Sequence, residues 1–150
     1  SGSDDSTVLL WNTDRGTLFD LALQGHTAAV ASVEINQDGK LLASGSWDKT
    51  VCLWDMVNGR RMAAHLLGHT GPVYGIHFAR PNVLLSVSDD STLRMWDLRF
   101  TNTCIASFYA PLPLKCLHSF ASTIAAGDEK GTVHILRAPW MRDVCVCVCV

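Results

Sequence analysis

Histidine, serine and aspartate are the side chains of an activated nucleophile, and this 150-residue chain carries the trio twice. His26, Ser44 and Asp48 recur as His69, Ser86 and Asp90, displaced by 42 or 43 residues. In acyl transfer such a serine attacks, the histidine takes its proton and the carboxylate orients the imidazole. Three features oppose that chemistry here. The trio is duplicated, an indole follows each copy at Trp54 and Trp96, and no serine stands in a Gly-x-Ser-x-Gly turn. The same groups suit a closed network instead. A turn aspartate accepts from backbone N–H groups and from an imidazole, the imidazole meets a hydroxyl, and the hydroxyl meets the indole N–H. Losing one member would leave the others buried and unpaired, at about 1–3 kcal/mol each. The expectation is four structural residues per copy, no catalytic residue and no enzyme activity.

Other chemistry is thin. His65, His77, His118 and His134 lack the mutual spacing of a zinc site along the sequence, and Cys52, Cys104 and Cys116 are scattered in the manner of reduced thiols. Gly127-Asp128-Glu129-Lys130-Gly131-Thr132 lacks the Gly-Lys-Ser/Thr ending of a phosphate loop and reads as a strand-connecting turn. No metal and no cofactor is implied. Net charge is −2, from 12 Lys+Arg against 14 Asp+Glu, which argues against nucleic acid and anionic membrane surfaces as partners. No stretch reaches about 18 uncharged apolar residues, and the first residues show no basic segment followed by an apolar run. The expectation is no membrane association and an intracellular setting, cytoplasmic or nuclear.

The elements that must position the polar residues form an array. Ser1-Gly2-Ser3-Asp4-Asp5-Ser6-Thr7-Val8-Leu9-Leu10-Trp11-Asn12 is rewritten at Ser44–Asp55 and again at Ser86–Asp97, and Gly25-His26 returns as Gly68-His69. Within each period, apolar alternation broken by turn residues predicts four antiparallel strands. In the second unit these are Val30 to Ile35, Leu41 to Ser44, Thr50 to Trp54 and Arg61 to Leu66. The third repeats them as Val73 to Phe78, Val83 to Ser86, Thr92 to Trp96 and Thr103 to Phe108. In the last unit the strands persist while the polar signature is lost. Ala110 stands for the histidine, Lys130 for the turn aspartate and Leu136 for the tryptophan.

A period of roughly 40–45 residues with Gly-His and Trp-Asp signatures is that of a propeller blade. The chain resembles the WD-repeat (WD40) β-propeller family over residues 1 to about 137. The fold class expected is all-β, a partial propeller of about three and a half four-stranded blades. Residues 1–12 end a truncated repeat, 25–55 and 68–97 are repeats, 103–137 is a degenerate one, and 138–150 is a low-complexity tail. The resemblance implies a hydrogen-bonded tetrad of His26, Ser44, Asp48 and Trp54 in one blade and of His69, Ser86, Asp90 and Trp96 in the next. It also implies a partner-binding top face, at Ala29, Ala31 and Trp47 in the second unit and Pro72, Tyr74 and Asp89 in the third. The eroded unit offers Pro113, Lys115 and Glu129 there, and the first only Asp4.

The function expected is a non-enzymatic scaffold for protein–protein assembly, binding proteins or peptides through that face, with further blades in a longer parent chain. Trp47 and Tyr74 are the aromatic anchors interfaces favour, or else they fill gaps between blades. A second reading is a recognition propeller for RNA or a modified peptide within a larger signalling or ribonucleoprotein chain. A third is a truncated product without function of its own. The tail, a strict Val-Cys repeat from Val144 to Val150, reads as translated low-complexity DNA and is an uncharged, β-prone segment hazardous for aggregation.

Overall fold

A computed structural model describes residues 1–12, 14–18, 22–58, 61–99 and 103–137. The tail at 138–150 and the Gly59-Arg60 link before the expected Arg61 to Leu66 strand lie outside the described residues. Among the described residues there are thirteen strands and no helix. Strands β1 (Trp11–Asn12) and β2 (Thr17–Leu18) form a hairpin, joined by bridges from Val8 to Gly2 and to Leu23. Strands β3 (Val30–Ile35), β4 (Leu41–Ser46), β5 (Val51–Asp55) and β6 (Arg61–Leu66) make the second sheet, in sequence order. The third holds β7 (Val73–Arg80), β8 (Val83–Ser88), β9 (Thr92–Asp97) and β10 (Thr103–Tyr109). The last holds β11 (Leu114–Phe120), β12 (Thr123–Asp128) and β13 (Val133–Arg137).

All pairings are antiparallel meanders, as short turns between consecutive strands require. Strands β3 and β6 have the bounds read from periodicity, β5 is shifted by one residue, and β4, β7, β8, β9 and β10 run one or two residues further. In particular β7 continues through Arg80, because a bulge pairs Arg80 with Val83 and tightens the Pro81-Asn82 turn.

The sheets pack face to face, and the core therefore lies between them in three layers. Leu10, Leu23, Leu42, Cys52 and Trp54 fill the space between the first and second sheets. Ala43, Leu53, Ile76, Leu84 and Trp96 fill the next. Leu85, Met95, Leu114 and Ile124 fill the last. Leu42 and Ala43, like Leu84 and Leu85, are consecutive residues that serve opposite faces, which is why the middle strands read as near-continuous apolar runs. A Cβ at Gly75 would stand 2.9 Å from Leu117 Cδ2 on the neighbouring sheet, so glycine is what permits the close approach.

Side chains also cross between sheets. Ser32 Oγ and Glu34 Oε2 on β3 accept the backbone N–H groups of Ile76 and Phe78 on β7, at 3.3 and 2.9 Å. These bonds fix the neighbouring inner strands in register.

Candidate functional site

Four turns of one design order the polar residues. Ser46-Trp47-Asp48-Lys49 and Ser88-Asp89-Asp90-Ser91 join the second and third strands of their sheets. In each, the serine hydroxyl accepts the aspartate N–H at 3.1 Å, and the fourth residue is left-handed, with φ of 73° at Lys49 and 63° at Ser91. Ser6 occupies the same position in the first unit and Gly131 in the last, with φ of 69° and 84°.

The turn aspartates gather donors. Asp48 Oδ1 accepts the Thr50 N–H and hydroxyl, and Oδ2 accepts the Thr27 N–H and faces His26 Nδ1 at 2.8 Å. His26 Nε2 lies 2.8 Å from Ser44 Oγ, and Trp54 donates its indole N–H to the same oxygen at 2.8 Å. Asp48 can only accept, so the neutral imidazole carries its proton on Nδ1 and takes the Ser44 hydroxyl proton as a hydrogen bond at Nε2. His69, Ser86, Asp90 and Trp96 reproduce every contact within 0.1 Å. The structure thereby brings together all eight residues of the expected tetrads.

Electrostatics follow the contacts. Burial pushes Asp90 up, but bonds from Thr92, Thr70 and His69 outweigh it and hold the carboxyl at about 2; Asp48 is lowered by the same balance. Burial draws His69 down against the pull of Asp90, which favours neutral imidazole. Burial also pushes the Cys52 thiol up to about 12, and the Asp48 charge adds to it. Ser44 and Ser86 have no exposed surface, so no substrate reaches either hydroxyl in this conformation.

The end units differ. In the first, Asp5 accepts the Thr7 N–H and hydroxyl, and Trp11 donates to Ser1 Oγ at 3.3 Å, but Trp11 is 54% exposed. In the last, Ala126 aligns with Ser44 and Ser86. A carboxylate is nevertheless present two residues ahead of Lys130: Asp128 Oδ1 accepts the Lys130 and Thr132 N–H groups, and Oδ2 faces His134 Nε2 at 3.0 Å. Sequence reasoning missed this pair, since Asp128 aligns with turn serines and His134 with Cys52 and Arg94.

The expected top-face positions lie beside these turns. Trp47 donates its N–H to Ala29 O, Asp89 to Pro72 O and Glu129 to Pro113 O, at 2.9, 2.9 and 3.1 Å, so the three pairs are equivalent. Trp47 meets Tyr74 edge to face with ring centres 6.0 Å apart. Lys115 Nζ sits 4.0 Å from the Tyr74 ring centre and 2.5 Å from Asp89 Oδ1. Trp47, Tyr74, Lys115 and Asp89 therefore form one strip across three sheets. Ala31 is exposed, and Ala29 and Pro72 are half-buried. Sequence spacing also missed a row across three neighbouring strands: Glu34, His77 and His118 meet side by side.

Antiparallel meanders stacked face to face, the middle two each closed by a turn carboxylate linked to a buried indole, define an array of propeller blades. The family model described as "WD domain, G-beta repeat" matches residues 19–55 and 61–97, and the chain belongs to the WD40-repeat family. It is 37% identical over 108 residues to the nuclear distribution protein nudF of Aspergillus flavus and equally to that of Aspergillus oryzae, which covers 70% of this chain. The chain spans 23% of the length of those relatives. The crystal structure of the computationally designed Ika4 protein matches with a TM-score of 0.79, at 24% identity, over 91% of this chain and 82% of that one. That likeness shows the β-propeller fold.

Proposed function

We propose that the chain forms part of a non-enzymatic propeller scaffold that docks protein partners on the strip Trp47, Tyr74, Lys115 and Asp89. The observation that carries this reading is the continuity of the strip. An aromatic pair with a fixed cation and anion beside it spans three blades, and Trp47 keeps 51% of its surface open. Burial lowers the Lys115 ammonium, but Asp89 and Tyr74 raise it further, so its charge is secure at neutral pH. Large aromatics beside a preordered ion pair are the composition of interface anchors, because little side-chain entropy is left to lose on binding. The tetrads, sealed from solvent, serve as the frame that holds the loops.

The family's interaction role and the relation to the nudF proteins support the scaffold reading. The test is quantitative affinity capture from a source lysate, comparing wild type with Trp47→Ala, Lys115→Glu and, as a control away from the strip, Lys40→Ala. The expected result is a partner retained by Lys40→Ala and weakened by about 2 kcal/mol, roughly thirty-fold, in Trp47→Ala. Equal recovery by all four proteins would remove the strip from the function. A recovery that collapses steeply with added salt would instead favour nucleic acid.

A further inference from the structure

Outside the strip and the turn carboxylates, nitrogen or sulfur ligand atoms of the described residues converge in two places. The first is His26, Cys52 and His65, whose ligand atoms lie within 4.8 Å of one another. Its members are committed: both His26 nitrogens bond to Asp48 and Ser44, and the Cys52 thiol is held protonated. The second is the row formed by Glu34 on β3, His77 on β7 and His118 on β11. These residues are equivalent positions of three successive inner strands, stacked so that each touches the next.

The geometry there is of a different kind. His77 Nδ1 lies 3.1 Å from Glu34 Oε1, and the other carboxylate oxygen is fixed by the Phe78 N–H at 2.9 Å. A carboxylate accepts but cannot donate, so the neutral His77 ring must carry its proton on Nδ1 and present a lone pair at Nε2. That nitrogen faces His118 Nδ1 at 3.3 Å, with the two rings perpendicular at 89°. Two nitrogens bound at 2.0–2.1 Å to one tetrahedral zinc stand about 3.3 Å apart. A carboxylate behind a ligating histidine is also the common outer support of such sites, fixing the tautomer and raising ligand basicity.

We propose that His77 Nε2 and His118 Nδ1 bind a borderline divalent cation of the zinc class, with Glu34 orienting His77 and water completing the coordination. Without the ion, His118 donates Nδ1–H to His77 Nε2. On binding, that proton moves to His118 Nε2 by way of solvent, so the tautomer changes and no net proton is released. Access is open, because His118 is exposed and the His77 side chain keeps 16% of its surface. An ion there would clamp β7 to β11 and so join the third sheet to the last.

The experiment is calorimetric titration of the full chain, free of affinity tags, with zinc chloride alone. The background carries Cys145→Ser, Cys147→Ser and Cys149→Ser so that tail thiols do not compete. The expected result is one saturable site per chain that raises the melting temperature. His118→Ala, at an exposed position, should weaken binding by roughly a hundred-fold and Glu34→Gln by roughly ten-fold or more, since an amide can donate to Nδ1 and invert the His77 tautomer. His65→Ala should bind as the parent does, and circular dichroism should match throughout. No saturable binding by the parent, undiminished binding by His118→Ala, or loss of binding in His65→Ala would each overturn the site.

Discussion

The third and last sheets solve one problem in opposite ways. Both must hold a tight turn between their second and third strands. The third uses Asp90 at the turn centre, linked through His69 and Ser86 to Trp96 deep between the sheets. The last has Ala110, Ala126, Lys130 and Leu136 at the four corresponding places, and keeps the turn with a carboxylate displaced to Asp128, tied to His134 on its own third strand. What the backbone needs is an acceptor for the turn amides. Where that acceptor sits decides whether the turn is wired to the core or only to itself. The third sheet couples loop to core, and the last keeps the turn but loses the coupling.

The largest difference should appear on removing the indole. Trp96→Ala deletes a side chain that is 1% exposed and should cost about 3–5 kcal/mol, whereas Leu136→Ala, at the half-buried counterpart, should cost clearly less. Denaturant midpoints measure both, and equal losses would mean that the last blade is wired as tightly as the third. Next comes the turn acceptor. Asp90→Ala leaves Thr92 N–H and His69 without their partner and should cost about 1–3 kcal/mol, while Lys130→Ala at the exposed counterpart should leave the midpoint unchanged.

Acid should act in the same direction, with a sign fixed by the shifts. His69 is depressed below its ordinary 6.5, so stability present above that value is lost as pH falls and the unfolded chain takes up the proton first. Asp90, held at about 2 against an ordinary 3.8, adds a second loss as pH drops from near 3.8 toward 2. On the alkaline side Cys52, raised from 9.0 to about 12, gives stability that is full below 9.0 and lost across that interval. Melting curves should therefore peak between about pH 6.5 and 9, and a midpoint that rises on acidification from pH 6.5 would refute the neutral-imidazole network. The smallest effect concerns the left-handed turn residue. Ser91→Gly relieves φ of 63° and should gain up to about 1 kcal/mol, and Gly131→Ala should lose a similar amount.

Much of this was legible in the sequence because the polar residues recur at fixed offsets while the strands between them alternate. Periodicity located the second and third units, and the tetrad residues announced themselves by being polar in an apolar context. The Asp128–His134 pair was illegible for the same reason: alignment equates positions, and the last unit moved its carboxylate off the aligned one. The row Glu34, His77 and His118 was hidden differently. Its members lie 43 and 41 residues apart along the chain, far from any ligand spacing, and meet only because stacked repeats place equivalent residues side by side. The strip at Trp47 was expected position by position, but its continuity depends on rotamers that no spacing rule supplies.

The bonds from Ser32 and Glu34 to the Ile76 and Phe78 amides bear on assembly. An inner strand with open amides is a template on which a foreign strand can grow, by augmentation or as an amyloid seed. On β7 those two donors already serve the neighbouring sheet, so a visiting strand would have to displace the Ser32 hydroxyl and the Glu34 carboxylate to use them. The inner edge of β7 is thus partly guarded against strand addition by side chains of the preceding blade.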